Sequence, residues 1–384
     1  MLKDDMLFVG VGQCGGNIVQ ELEKLNFNCF YINTSLEDLD TINTDQDNKY
    51  HIPRSKGMAK DREYAISVLS SNDNLQIVTN KVYERYSNCK IVYYVASSGG
   101  GTGGTMSGIM AEDYAEAFPE KVVNVVAVLP SSNEDMLVQA NAIKSLEQIN
   151  NSYKNGFISN VHLLDNDKKD NKMQINHEFA HLMNSLVSFD NISKAGNLDA
   201  EEMERILTCQ GYISAIQFKE DNFDVGLNNA YEKSIYADWL KSSSIQGYIL
   251  NKNQNNDTNK QLINEVFGIP TTCYSTIWDN ENNIIFSLCN KFNESILSKL
   301  KRTYKEIADK RARLEREAEQ QSKAEADVAI DVDFSEINLR PNKRSQRTRP
   351  QQTSDNSTSQ STTRRTSRRR EGVSNTLDRL RNLQ

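Results

Sequence analysis

Five of the six residues at positions 99–104 are glycines, and they lie between a β-branched and aromatic stretch and a stretch of small residues. A buried strand that leads through glycines into a helix can bind phosphate. The loop brings backbone N–H groups close to the ligand, and the helix N-terminus adds about half a positive charge. The run lacks the Lys-Ser/Thr pair of a Walker A motif. The alternative is a flexible surface loop, which rarely lies between a strand and a helix of this kind. Residues 99–104 therefore predict a phosphate-binding site.

A second glycine cluster, Gly-Val-Gly-Gln-Cys-Gly at residues 10–15, follows a short apolar stretch. On its own this G-x-G-x-x-G pattern is a weak sign of dinucleotide binding. A Rossmann domain would place an acidic residue near the end of the next strand, where it binds a ribose hydroxyl. The next apolar stretch, residues 29–32, instead ends in Asn33, and no acid follows until Glu37. The sequence therefore disfavours an NAD site.

An HExxH pattern is formed by His177, Glu178 and His181, with Glu201 as a possible third ligand. Two imidazoles one helical turn apart with a nearby glutamate are typical of zinc peptidases. However, the segment continues as an apolar stripe that is typical of a buried helix, and so short a motif recurs by chance. A zinc peptidase therefore remains a remote alternative.

Residues 99–103 (Gly-Gly-Gly-Thr-Gly) resemble the signature loop of the tubulin/FtsZ superfamily. Residues 12–15 resemble the first nucleotide loop of tubulin, and residues 33–34 (Asn-Thr) resemble the second loop of FtsZ. The chain departs from the family at Gly104 and Thr105, where the family has Ser or Thr followed by Gly. We expect the loop to function nonetheless, because the Thr105 hydroxyl can still donate a hydrogen bond. Within the superfamily the chain is most similar to TubZ, the branch that partitions plasmid and phage DNA.

The resemblance implies a GTP/GDP site with Mg²⁺. Lys56 and Lys60, in a basic loop, would face the terminal phosphate, although a solvated loop is an equal alternative. Glu134 would bind the ribose, with a helix-capping acid as the alternative. Asn166 and Asn176 would read guanine, because an amide offers both a donor and an acceptor. The residues expected to bind the nucleotide are Gly12, Gln13, Cys14, Gly15, Asn17, Asn33, Lys56, Gly99, Gly100, Gly101, Thr102, Gly103, Gly104, Thr105, Glu134, Asn166 and Asn176.

Residues 196–203 resemble the loop that, in this family, docks head-to-tail onto the nucleotide of the next subunit. The resemblance implies that Asp199 and Glu202 are catalytic and orient the water that attacks the γ-phosphate. Phosphoryl transfer depends mainly on positioning and charge, so two carboxylates from a neighbour can activate it. Acids that cap a helix would give a similar pattern. The resemblance therefore implies a GTPase that assembles with itself into filaments and completes its active sites between subunits.

The alternation of apolar stretches with helical stripes predicts an α/β fold. Residues 122–129 are apolar almost throughout, as expected of a central parallel strand covered on both faces. Together with the resemblance, this predicts a Rossmann-like GTP-binding domain with a parallel sheet, a long central helix, a second smaller α/β domain and a disordered basic C-terminal tail. The expected boundaries are 1–172 for the GTP-binding domain, 173–193 for the central helix, 194–290 for the second (activation) domain, 291–327 for the C-terminal helix and 328–384 for the tail.

Charge is unevenly distributed along the 384 residues, whose net charge is −7. Residues 341–384 are rich in Ser, Thr, Gln and Arg and carry 11 Lys and Arg against 3 Asp and Glu. Clustered arginines without interleaved aromatic residues favour a phosphate backbone or an acidic protein over sequence readout of DNA. The resemblance implies that this tail binds a DNA-bound, TubR-like adaptor protein, so that contact with DNA is indirect; a solubilising tail is the alternative.

Cysteine usage and hydropathy bear on the compartment. The six cysteines show no CxxC pairing and no metal-ligand spacing, which indicates reduced thiols. The sequence contains no stretch of about eighteen apolar residues, the length that a membrane helix needs. We therefore expect a cytoplasmic filament GTPase that makes no membrane contact and moves plasmid or phage DNA. The alternatives are an FtsZ-like division or phage-positioning filament and a nucleotide-binding scaffold without turnover.

Overall fold

The structure, a computed structural model, describes residues 2–187, 199–241, 245–253, 257–278 and 282–326. Contacts divide the described chain into a unit that ends at Ala308 and a unit that begins at Asp309. The described strands, all in the first unit, are β1 (Met6–Val11), β2 (Asn28–Asn33), β3 (Lys49–His51), β4 (Ile91–Ser97), β5 (Val122–Leu129), β6 (Asn160–Asp165), β7 (Gly211–Phe218), β8 (Ile245–Asn253), β9 (Pro270–Trp278) and β10 (Asn283–Cys289).

The α-helices alternate with these strands. They are α1 (Gly12–Glu23), α2 (Leu36–Asp40), α3 (Arg62–Ser70), α4 (Asn74–Arg85), α5 (Thr102–Ala117), α6 (Met136–Lys154), α7 (Lys172–Val187), α8 (Ala200–Thr208), α9 (Phe223–Glu232), α10 (Lys260–Phe267) and α11 (Glu294–Ala326).

One sheet contains all ten described strands, in the order β3-β2-β1-β4-β5-β6-β7-β10-β8-β9. Pairing is parallel from β3 through β7, antiparallel on both sides of β10, and parallel again between β8 and β9. The prediction of an α/β fold with a parallel sheet is confirmed. Because parallel strands end at the same edge, the loops after β1, β2, β4, β5 and β6 converge there, which is where such sheets bind ligands.

Helices cover both faces of the central strands. Alternate residues of β1 enter two different apolar clusters, with Leu7 and Val9 on one face and Met6 and Phe8 on the other. This follows from the two-residue period of a strand. Residues 102–114 of α5 are all buried, which explains why the sequence uses small residues there. The glycine run therefore leads into a fixed core helix.

The helix α7 lies where the sequence predicts a central helix. Ile175, Phe179, Ala180, Leu182 and Met183 are buried in one apolar cluster, as the stripe in the sequence indicates. The predicted residues 188–193 lie outside the described part of the chain. The HExxH pattern therefore belongs to a core helix.

The helix α11 packs on the sheet unit through buried Ile296, Leu297 and Leu300. In the second unit its side chains form i,i+4 ion pairs, Arg311 with Glu315 at 3.0 Å and Arg313 with Glu317 at 3.6 Å. Such pairs support a solvated helix. Of the helices that the structure describes, none is long and apolar enough to cross a membrane. The predicted tail, residues 328–384, lies outside the described residues.

Candidate nucleotide site

A cavity of about 580 Å³ opens at the carboxyl edge of the parallel strands. Its wall comes from the loops after β1, β2, β4, β5 and β6, as the topology requires. The structure therefore brings together most of the residues predicted to bind the nucleotide: Gly12, Gln13, Cys14, Asn33, Lys56, Gly99, Gly100, Gly101, Thr102, Gly103, Glu134 and Asn166.

Five of the predicted residues do not line this cavity. They are Gly15, Asn17, Gly104, Thr105 and Asn176. A Cβ at Gly15 would overlap the carbonyl oxygen of Val95, and one at Gly104 would overlap that of Ser98. These two glycines therefore permit close backbone packing behind the cavity.

The Thr105 and Asn176 side chains are buried away from the cavity wall. The Thr105 hydroxyl has no hydrogen-bond partner among the described residues, and the Asn176 amide contacts only Met173 Sδ, at 3.7 Å, within the described part of the chain. Contact of either residue with the nucleotide stays a prediction.

Two helix N-termini at the cavity carry no side-chain cap. The N-cap residue is Val11 in α1 and Gly101 in α5. In neither helix does the N-cap side chain accept a hydrogen bond from a backbone N–H group. By contrast, α3, α6 and α10 are capped by Asp61, Asp135 and Asn259. Uncapped N–H groups and the helix dipole both favour an anion. The ends of α1 and α5 are therefore suited to bind an anion.

Polar contacts hold the glycine run in place. Thr102 Oγ1 lies 2.7 Å from Thr34 Oγ1, which joins the loop after β4 to the loop after β2. Arg62 donates to the Gly104 carbonyl at 3.0 Å and to Gln148 Oε1 at 2.7 Å. Burial lowers the pKa of Arg62 to about 10, so its guanidinium stays charged at neutral pH.

The basic loop that the resemblance places near the terminal phosphate forms another part of the wall, through residues 57–60. Its backbone is left-handed at Gly57, Ala59 and Lys60, with φ of 85°, 46° and 64°. Asn141, buried on α6, donates to the Lys60 carbonyl at 2.9 Å and to the Gly99 carbonyl at 3.4 Å. A single amide thus joins this loop to the glycine run.

Charges in the cavity wall are partly paired. Lys60 pairs with Asp135 at 2.6 Å and Lys172 pairs with Glu134 at 2.7 Å. Lys56 forms no ion pair within the described ranges. Its ammonium is therefore available to a phosphate. The cap of α6 is Asp135 and not Glu134, so the capping alternative for Glu134 is excluded.

The Asn33 and Asn166 amides differ in their bonding. Asn33 Oδ1 accepts from the Thr34 and Ser35 N–H groups, and its Nδ2 donates to Asp38 Oδ2 at 3.2 Å. Asn166 lies in the turn after β6, and its side chain makes no hydrogen bond with the residues that the structure describes. Asn33 therefore shapes its own loop, whereas Asn166 offers an open amide to a ligand.

Cys14 lines the cavity as a neutral thiol. Burial raises its pKa to about 12, and the nearby Lys172 lowers it only in part. At neutral pH it adds no negative charge against a bound anion. Several other wall residues were missed because they belong to no motif: Ser35, Asp38, Met58 and Lys172.

The two HExxH imidazoles, His177 and His181, lie side by side with ring centroids 4.2 Å apart, but the Glu178 carboxylate is engaged elsewhere. His177 Nδ1 lies 3.4 Å from Glu21 Oε2, whereas Glu178 pairs with Lys169 at 2.8 Å. Burial and the neighbouring His177 lower the pKa of His181. The described residues contain no group of three or more His, Cys, Asp or Glu side chains that could hold a metal. The structure therefore gives the zinc alternative no support.

Asp199 and Glu202 lie outside the cavity wall and form a capping box at the start of α8. The Glu202 N–H donates to Asp199 Oδ1 at 2.7 Å, and the Asp199 N–H donates to Glu202 Oε2 at 3.2 Å. The Asp199 side chain is exposed. Residues 196–198 of the predicted loop lie outside the described part of the chain.

The chain resembles known proteins both in sequence and in fold. Residues 5–168 match the GTPase domain of the tubulin/FtsZ family. The tubulin-like protein TubZ of Clostridium botulinum C phage is 31% identical over 245 residues, which cover 63% of this chain and 68% of that protein. The whole of the tail-truncated Clostridium botulinum phage c-st TubZ structure superposes on 81% of this chain with a TM-score of 0.72 and 26% identity.

A GTPγS-form protofilament structure of Bacillus thuringiensis serovar israelensis TubZ shares the fold. It has a TM-score of 0.71 and 16% identity, and it covers 82% of this chain and 94% of its own. The cavity, the order of its loops and these matches agree. The chain belongs to the tubulin/FtsZ family, is TubZ-like within it, and carries the GTPase domain of that family at residues 5–168.

Proposed function

We propose that this protein is a cytoplasmic, filament-forming GTPase whose active site is completed by Asp199 and Glu202 of the next subunit. The carboxylates that line the cavity, among the described residues, are Asp38 and Glu134. Both are engaged, Asp38 by Asn33 and Glu134 by Lys172. The cavity thus supplies groups for phosphate, but Glu134 is neutralised by Lys172 and Asp38 is the carboxylate assigned below to Mg²⁺, so neither is left to position water. This observation supports a hydrolytic group that arrives from outside.

Exposed apolar side chains next to the cavity support a second copy of the chain as the partner. Leu36, Leu137 and Met173 are 53%, 49% and 52% exposed. Each is adjacent in sequence to a cavity-lining residue, respectively Ser35, Val138 and Lys172. A subunit that docked on this face would cover the nucleotide and these side chains together. The solved relatives that are described as protofilaments are consistent with this arrangement.

Each group of residues has a separate proposed role, set by its charge and hydrogen-bonding capacity. The ends of α1 and α5, with Lys56, hold the phosphates, and Asn166 reads the base. Asp199 and Glu202 then polarise the attacking water. Because phosphoryl transfer requires mostly positioning and electrostatic stabilisation, correct docking alone can start turnover.

Mg²⁺ fits the oxygen donors of the cavity wall. It binds through one or two protein oxygens, phosphates and several waters, and the Asp38 carboxylate and the Thr102 hydroxyl line the wall. Asp38 and Thr102 would hold it. When bound, it neutralises negative charge on the phosphates.

For the tail we propose a TubR-like adaptor as partner, so that the filament moves plasmid or phage DNA. The 11 basic residues against 3 acidic ones at positions 341–384 favour an acidic surface or a phosphate backbone. An FtsZ-like division or phage-positioning filament is the second candidate. It uses the same chemistry with another cargo.

Phosphate release from GTP, measured against protein concentration with light scattering in the same cuvette, tests the shared active site. A threshold above which scattering and specific activity rise together is expected. Asp199→Asn and Glu202→Gln keep the capping box but remove the charge. Each should lower turnover at least about 100-fold and leave scattering intact. Glu201→Gln, in the same helical turn, is the matched control.

Two results would contradict the proposal. Activity strictly proportional to protein from the lowest concentration, without scattering, would mean a self-contained site. Full turnover in both charge-removing variants would show that these carboxylates have no catalytic role.

A further inference from the structure

The turn that carries Asn166 is held from α11 by one lysine. Lys299 Nζ lies 3.1 Å from Asp165 Oδ2 and 3.0 Å from Asp167 Oδ2. Asp165 ends β6 and is buried, and its other oxygen accepts the Asp167 N–H at 2.9 Å. The two residues that flank Asn166 are therefore bound to the same ammonium group.

Asp167 also connects this turn to the loop after β5. Its Oδ1 accepts from the Ser131 hydroxyl at 2.8 Å and from the Ser132 N–H at 2.8 Å. Partial burial alone would raise the pKa of Asp167, but the bonds from Ser132 and Lys299 hold it below its usual range. Asp167 therefore stays charged, and its two oxygens attach the turn to two different elements.

We propose that Lys299 is a positioning residue for guanine recognition, which fixes the Asn166 backbone so that its open amide meets the base. The inference rests on the proposed role of Asn166 as the base-reading residue. Without the ammonium, a buried carboxylate and a second carboxylate two residues away lose their shared counter-ion and repel each other. The turn between them would then lose its fixed position. We expect specificity for the base to fall while the affinity for the phosphates is kept, because the residues proposed to bind the phosphates belong to other loops.

The neighbouring Lys301 provides a matched control. It lies on the same helix and forms one ion pair, with Glu147 at 2.8 Å, away from the turn. Its side chain is 56% exposed, similar to the 51% of Lys299. A general effect of charge on α11 would therefore appear in the variants of both lysines. An effect that acts through the Asn166 turn would appear only in the variants of Lys299.

The experiment measures displacement of fluorescent mant-GTP by GTP and by ATP, at protein concentrations below assembly. Lys299→Met should lower the ratio of GTP to ATP affinity about fivefold, since a half-exposed ion pair is partly screened, with ATP affinity unchanged. Lys301→Met should keep the wild-type ratio. Lys299→Arg should restore it, because a guanidinium can bridge two carboxylates. Asp167→Asn, which alters the other side of the same ion pair, should lower the ratio as Lys299→Met does.

Asn166→Ala separates this inference from the function on which it rests. We expect it to lower the ratio, and the double variant Asn166→Ala/Lys299→Met to lower it no further. A normal ratio in Asn166→Ala would overturn the base-reading role itself. If the ratio of GTP to ATP affinity were lowered in Asn166→Ala but normal in Lys299→Met, only the role of Lys299 would be overturned. Equal weakening of GTP and ATP in Lys299→Met would also overturn it, because that result indicates a general structural effect.

Discussion

At the scale of single residues, Gly104 explains how the chain departs from the family signature. A side chain there would overlap the Ser98 carbonyl at the start of the glycine run. The family has Ser or Thr at this point, whereas this chain has its threonine one position later, at Thr105, where the side chain is buried. Backbone packing against Ser98 thus leaves glycine as the residue that fits position 104.

We therefore predict that Gly104→Ala weakens nucleotide binding at least about tenfold, because the glycine run must shift to admit the methyl group. Gly108→Ala, on the same helix, is the control. Its Cβ would meet the flexible end of the Gln148 side chain at 3.1 Å and Ile149 Cγ1 at an ordinary contact distance of 3.7 Å, and alanine favours the helix. Titration with mant-GTP checks both variants, with circular dichroism to confirm folding. Equal affinity in the two variants would contradict this account.

At this scale the sequence predicted residues that end a strand or follow it directly. Asn33 is the last residue of β2, and Gly12 and Asn166 come directly after β1 and β6, so strand ends alone place them at the cavity. Lys60 and Lys172 lie farther along their loops, and their positions depend on left-handed backbone and on ion pairs. No local pattern encodes those contacts, so only the position of the basic loop predicts Lys60 near the phosphate, and nothing in the sequence predicts Lys172 in the wall.

At the scale of elements, α6 joins the glycine run to the loop at residues 57–60, although it carries none of the predicted nucleotide-binding residues. Asn141 is 4% exposed and binds the carbonyls of Lys60 and Gly99. Both carbonyls would be left without this donor if the amide were removed. Loss of a buried hydrogen bond costs about 1 kcal/mol.

Asn141→Ala should therefore lower GTP affinity about fivefold, which is the same free energy expressed as a ratio. It should lower the free energy of unfolding by a similar amount in guanidinium titrations. Asn151→Ala, at an exposed position of the same helix, should change neither quantity. An unchanged GTP affinity in Asn141→Ala, with the loss confined to stability, would show that α6 supports the fold but not the site.

The order of elements was predictable because alternating stripes of period two and period 3.6 mark strands and helices. The residues that α11 contacts could not be predicted from such stripes. Lys299 and Asp165 lie 134 positions apart, and only the path of the sheet brings them together. The continuation of one sheet from β6 into β7 likewise depends on pairing between distant segments, about which a strand pattern says nothing.

At the scale of the whole molecule, opposite charges lie in different parts of the chain. Residues before position 341 carry 34 Lys and Arg against 49 Asp and Glu, whereas the remaining 44 residues carry an excess of basic ones. The described helix α11 ends at Ala326, so the elements that form the cavity are complete before the basic segment begins. Assembly and cargo binding should therefore be separable.

Truncation after Arg340 should leave the concentration threshold for GTP hydrolysis unchanged, because the cavity wall and the two carboxylates proposed to complete it all precede that position. The same truncation should abolish co-sedimentation of filaments with a TubR-like adaptor on its DNA site. In the full-length chain that co-sedimentation should weaken steeply with added salt, because phosphate and acidic contacts release counter-ions. DNA without adaptor is the control and should stay in the supernatant. Undiminished adaptor binding by the truncated chain would place the contact on the acidic body instead, and a shifted threshold would mean that the tail takes part in assembly.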